Sequence, residues 1–143
     1  MRQLTPATVY ALFLYDSATD SVKCVSASGD EQRLLEGLSI KQGERVTGWT
    51  AANLRTSVNS NAALDLAEIA GFFVPRLRST ISTPLARERA LVGVLTAYSG
   101  KQDAFDESHR YAFEKVASTL VNRVASHPFS VSSNVLSFPS QKI

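Results

Sequence analysis

The chain has 143 residues, 44% hydrophobic and 20% charged, with a formal net charge of +2; that length supports one cored domain, and that composition excludes disordered and fibrous classes. The small charge, with Arg76, Arg78, Arg87 and Arg89 interleaved with apolar residues and Glu88, gives no nucleic-acid footprint. No apolar run approaches the roughly 18 to 20 residues of a membrane span, no signal-peptide core opens the chain, and the single cysteine, Cys24, cannot form an internal disulfide, so the expected location is cytoplasmic.

TVYALFLY (8–15) is continuously apolar at strand length, which predicts a strand covered on both faces. After the turn signal DSATDS, the more polar SVKCVSAS (21–28), with Lys23 inside it, is predicted as its hairpin partner at a sheet edge. DEQRLLEGL (30–38), acidic at its start and with Gly37 near its end, is predicted as a short helix.

GERVTGWT (43–50) matches the phosphate-binding frame G-x-x-x-x-G-K-[ST] at every fixed position except the lysine, where Trp49 stands. Such a loop holds phosphate with backbone N–H groups and a lysine ammonium together. The ammonium is missing here, and the Walker-B-like ALFLYD, ending at Asp16, precedes the loop instead of following it. The segment is therefore expected to build scaffold: Gly43 and Gly48 end a strand and start a helix, with Trp49 a large buried anchor at the helix start.

RTSVNS (55–60) is a weaker strand, RSTISTPL (78–85) a strand ended by Pro84, and ALVGVLTAY (90–98) the second continuously apolar strand. The turn signals DSATDS after 8–15 and ARER before 90–98 read as hairpin or short-loop connections and predict a largely antiparallel sheet. From Asp106, a good N-cap, Phe113, Val116, Ala117, Leu120, Val121 and Val124 recur at helical spacing until Pro128. The division is then a domain over 1–126 and a serine-rich, proline-punctuated tail or linker over 127–143.

GERVTGWTAANLRTSVN, followed by LRSTISTPL, ALVGVLTAYS and DAFDESHRYAFEKVAS, resembles the GAF domain family in order, spacing and residue type, over roughly residues 8 to 125. The family pattern is a glycine-rich turn ending in Gly-Trp-Val-Ala, a Val-Asn strand, an Arg-Ser-x-x-x-x-Pro-Leu strand, a Gly-Val-Leu strand and Phe-x-x-x-Asp/Glu opening the last helix. The resemblance implies an α+β, PAS-related fold: a six-stranded antiparallel sheet, helices on one face, and a ligand pocket of loops and short helices on the other. It implies a non-catalytic, regulatory small-molecule sensor that signals to an attached output domain in bacteria, or alternatively a dimerisation module without a ligand. Members carry an N-terminal helix of several turns, whereas only Met1 to Ala7 precede the first strand here. The apolar face of the last helix, Phe113, Val116, Leu120 and Val124, is accordingly expected to meet a second copy in a homodimer.

No resident cofactor is implied. Cyclic-nucleotide binders of the family carry Asn-Lys…Phe-x-x-x-Asp-Glu, but no lysine lies between Lys41 and Lys101. Bilin attachment needs a cysteine near a histidine, and methionine sulfoxide reduction needs more than one thiol. His109 and His127 would stand about 27 Å apart along a helix axis, too far to share a metal. Asp65 and Glu68, three residues apart, read as a solvated helix edge.

The expected pocket segment is SVNSNAALDLAEIAGFFVPRLR (57–78). Its ligand candidates, with Trp49, are Asn59, Asn61, Asp65, Phe72, Phe73 and Arg78. The asparagines either meet a ligand or satisfy loop backbone; the phenylalanines either line a wall or fill core; Arg78 either meets an anion or pairs with Asp65.

Overall fold

A computed structural model describes residues 7–29, 31–73 and 76–125. Six strands form one antiparallel sheet: β1 (Val9–Asp16), β2 (Ser21–Gly29), β3 (Ser39–Lys41), β4 (Ser57–Asn61), β5 (Ser79–Arg87) and β6 (Ala90–Ser99), in the order β3-β2-β1-β6-β5-β4. Helix α1 (Arg45–Asn53) separates β3 from β4, the short α2 (Ala62–Leu66) follows β4, and α3 (Glu107–Ala125) closes the described chain. The two continuously apolar segments lie side by side, with Val9 opposite Tyr98 and Phe13 opposite Val94.

Alternation along these central strands feeds two cores. Val9, Ala11, Phe13, Val94 and Tyr98 point to the face covered by α1, α2 and the intervening turns. Tyr10, Leu12, Ile81, Leu85, Leu95 and Ala97 point to the opposite face, under α3. Phe113, Ala117 and Val121, four residues apart on α3, are buried there. Burial at about 1.5 to 3 kcal/mol per large side chain makes this stripe a principal anchor of the fold. Asp106 starts α3: its Oδ1 accepts the N–H groups of Ser108 (2.9 Å) and His109 (3.2 Å), while the Asp106 N–H donates back to His109 Nδ1 at 2.9 Å. This reciprocal cap gives His109 a local task.

Four expectations need correction. The 30–38 helix is only a 3-10 turn over Gln32–Leu34, entered through Glu31 in a left-handed conformation (φ 56°). β2 is not the outermost strand along its whole length, because β3 pairs with Ser21 to Lys23. Pro84 does not end β5, which runs on to Arg87; β4 pairs with β5 only from Ser79 to Ser82, so on that side no partner strand needs an N–H from Pro84. Finally, α1 begins at Arg45, four residues before Trp49, and Trp49 is 42% exposed instead of a buried anchor. The 127–143 tail lies outside the described residues.

Candidate functional site

Gly43 (φ 94°) turns the chain after β3, and its N–H donates to the carbonyl of Gly48 at 2.8 Å. Gly48 sits within α1 against the backbone of β3: a Cβ there would lie 2.2 Å from the Lys41 carbonyl oxygen. The helix can approach this closely only because the residue has no side chain.

The N-cap residue of α1, Glu44, makes no side-chain cap bond. The cap comes from another helix: Thr47 N–H donates to Asp65 Oδ1 at 2.8 Å. Asp65 Oδ2 accepts the Thr47 hydroxyl and the Tyr98 hydroxyl, the latter at 2.7 Å. A chain of hydroxyls continues from Thr47 through Thr96 to Ser82, with 3.0 Å at each step. All five side chains are fully buried. Three donors and the positive end of α1 replace water around the carboxylate. Burial, reinforced by the charge of Asp65 and the hydrogen bond to it, holds the Tyr98 phenol well above its usual range.

Outside this buried knot, α1, β4 and α2 bound an open cleft of about 550 Å³ lined by Arg45, Val46, Trp49, Ser57, Ser60 and Leu64. Arg45 and Trp49 are four apart on α1 and so share a helix face. Leu64, 59% exposed, stands on the other wall. Arg45 Nη1 donates to the Asp65 carbonyl at 3.0 Å, and Nη2 lies 4.0 Å from Glu68 Oε1. Ser57 and Ser60 hydrogen-bond to one another at the cleft floor.

A second groove, of about 730 Å³, lies between the end of α1, β5 and α3. Its walls include Leu54, Arg87, Glu114, Ala117 and Val121, and it shares Trp49 with the cleft. Thr56 donates to Glu114 Oε2 at 2.6 Å across it.

The expected site residues separate. Trp49 lines both depressions. Asn59, left-handed at a β4 bulge (φ 62°), clips that strand to the loop before α3: Nδ2 donates to the Phe105 carbonyl at 2.7 Å, and Oδ1 accepts Phe105 N–H at 2.9 Å. Asn61 caps α2 by accepting Ala63 N–H at 2.9 Å. Both asparagines therefore satisfy backbone. Asp65 is interior and Glu68 exposed, so they do not form a solvated edge. Phe73 fills core beside Leu66 and Leu77, whereas Phe72 is exposed. Arg78 is exposed at the entry to β5, where its backbone bonds Ser99 and Ala62, and Asp65 is taken by Thr47 and Tyr98.

On α3, Phe113 is 1% exposed and committed to the monomer core, so it offers no surface to a second copy. Val116 and Leu120 are half-buried against the same cluster. The side chain of Val124 lies outside the described residues. The four arginines do not cluster: Arg76 and Arg78 stand at the start of β5, Arg87 and Arg89 at its end. Cys24 is buried, and its thiol is pushed up to about 12, chiefly by burial. Among the described residues no three His, Cys, Asp or Glu side chains converge as a metal centre, and no helix is long and apolar enough to cross a membrane.

Ser57, Ser60 and Leu64 fall within the expected pocket segment 57–78, outside its named candidates, and Arg45 and Val46 fall outside that segment. The four-residue interval between Arg45 and Trp49 is the sequence signal for the α1 wall of the cleft.

Among solved structures, the fold is similar to the GAF domain of a phosphoenolpyruvate-protein phosphotransferase from Coxiella burnetii, with a TM-score of 0.73, 18% identity, and 89% of this chain and 77% of that one covered. It is also similar to the free methionine-R-sulfoxide reductase of Neisseria meningitidis in complex with its substrate (TM-score 0.71, 22% identity, 90% and 74% covered). The corresponding GAF domain from Acinetobacter gives a TM-score of 0.70 at 16% identity, covering 85% and 73%. Comparison with curated proteins gives no match. The GAF domain family model matches residues 1–126. With that match over most of its length, and with the sheet order and two-sided cover described above, the chain belongs to the GAF domain family.

Proposed function

We propose that the chain is a non-catalytic, cytoplasmic sensing module that binds a small molecule in the cleft between α1, β4 and α2 and signals to an attached output domain in bacterial signal transduction. The observation that carries this reading is the cleft itself, lined by the exposed indole of Trp49, by Leu64 and by the partly exposed side chain of Arg45. Large apolar side chains around a concave surface with a few oriented polar groups are the usual make-up of a small-molecule site.

Trp49 also supports the signalling part. The same indole borders the groove against α3, so a ligand that moves it changes what Glu114, Ala117 and Val121 face. Binding biases α3 only through different affinities for two positions of that helix. Self-association through α3 belongs to the same reading, with Tyr111, 64% exposed on that helix, as a contact available to a second copy.

Native mass spectrometry of freshly purified protein tests retained ligand and assembly together, and a thermal-shift screen against a metabolite pool tests binding. The expected result is a shift that Leu64→Gln abolishes without changing the melting temperature of the free protein. A pool that shifts neither protein counts against sensing.

A further inference from the structure

We propose that the cleft takes a small monocarboxylate with a flat or branched apolar tail, its carboxylate on Arg45 and its tail between Trp49 and Leu64. This rests on the reading of the cleft as a small-molecule site and names the ligand class.

The guanidinium is already oriented. One terminal nitrogen is fixed on the Asp65 carbonyl, and the Arg45 side chain is 31% exposed, so little freedom remains to be lost on binding. Among the described residues the other terminal nitrogen meets only a loose partner: Glu68 lies at 4.0 Å, with its side chain 83% exposed. A solvent-exposed carboxylate stands at this position and is replaceable by one brought on a ligand.

The charge count favours a single negative charge. Among the described residues Arg45 is the one ionisable residue lining the cleft, the other five being Val46, Trp49, Ser57, Ser60 and Leu64. A phosphate dianion would want several donors, but the Thr47 amide in the first turn of α1 is bound to Asp65. The buried carboxylate of Asp65 also opposes a second negative charge nearby. Beyond the guanidinium the wall is apolar, and an indole offers its face to a flat or branched tail. The volume of about 550 Å³ holds a molecule of this size.

Trp49 is the single tryptophan of the chain, so its fluorescence reports binding beside it, and the Arg45 and Leu64 variants separate the cleft from the groove that Trp49 also borders. The full chain is titrated with 3-phenylpropanoate and 4-methylpentanoate, and with the neutral 3-phenylpropanamide. The expected result is a saturable fluorescence change, with each acid binding at least roughly tenfold tighter than the amide, as one charge-assisted pair provides. Arg45→Gln should erase the preference for acid over amide, and Leu64→Gln should weaken all three ligands alike. The comparison of acid with amide on the unsubstituted protein needs no variant to fold. Equal binding of acid and amide overturns the carboxylate assignment and leaves the cleft as a site. Silence of all three probes, with a metabolite pool still shifting the melting temperature, overturns the ligand class alone. Silence of the pool as well overturns both.

Discussion

The Tyr98 hydroxyl donates to Asp65 Oδ2 across 2.7 Å, joining β6 to α2 between two side chains that water does not reach. The same carboxylate caps α1 through Thr47. Removing it orphans at least two buried donors. Asp65→Ala is expected to cost about 2 to 4 kcal/mol, and Tyr98→Phe about 1.5 to 3 kcal/mol. Urea unfolding of both single variants and the double variant should show losses that do not add, since the groups share one network. Additive losses would mean that the two residues act separately.

The raised pKa of Tyr98 makes stability fall at high pH. Below the ordinary value of 10.0 the phenol is protonated in both folded and unfolded chains, and its contribution is complete. Above 10.0 the unfolded chain releases the proton first, so the contribution is lost progressively as pH rises toward the folded value. Unfolding followed by urea at a series of alkaline pH values should show a shallower decline for Tyr98→Phe than for the unsubstituted chain. The native tyrosinate spectrum should gain nothing from Tyr98 until the protein unfolds.

Gly48→Ala places a methyl group 2.2 Å from the Lys41 carbonyl oxygen, and backbone must move to admit it. The expected cost is about 1 to 3 kcal/mol, despite the better helix propensity of alanine. Gly71, whose added Cβ would meet nothing within 4 Å, is the control: Gly71→Ala should leave the melting temperature unchanged or slightly raised.

Asn59→Ala breaks both bonds of the clip to Phe105 and leaves an alanine at φ 62°. The loss should be about 2 to 4 kcal/mol. Asn59→Gly relieves the backbone part and keeps the loss of the clip, so it should fall between the two. Calorimetric melting distinguishes these, and ligand affinity of the folded Asn59→Gly protein should be unaltered.

Much of the scaffold was legible because it rests on local chemistry. The apolar runs around Phe13 and Val94, the cap at Asp106 and the stripe Phe113, Ala117, Val121 each announce themselves within a few residues. The site was legible only in outline. That Asp65 faces inward follows from Thr47 and Tyr98, which are 18 and 33 residues away in sequence, and no local pattern encodes such a meeting. The start of α1 was hidden for a similar reason: Arg45 has a left-handed backbone (φ 59°) and Glu44 provides no side-chain cap, so the usual start signals are absent. Asn59 and Asn61 are common loop residues, and the backbone groups that their side chains bond, at Phe105 and Ala63, are fixed by the fold.

The cross-helix bond between Thr47 and Asp65 bears on how GERVTGWT should be interpreted by anyone engineering it. Trp49→Lys would complete the consensus of a nucleotide-binding motif letter by letter, yet the seat at the head of α1 is plugged from within by a carboxylate that belongs to the protein. Isothermal titration of Trp49→Lys with magnesium ATP should release no heat of binding. A consensus string records which residues are present, and this one cannot record that its vacancy has been filled by a side chain from farther along the chain.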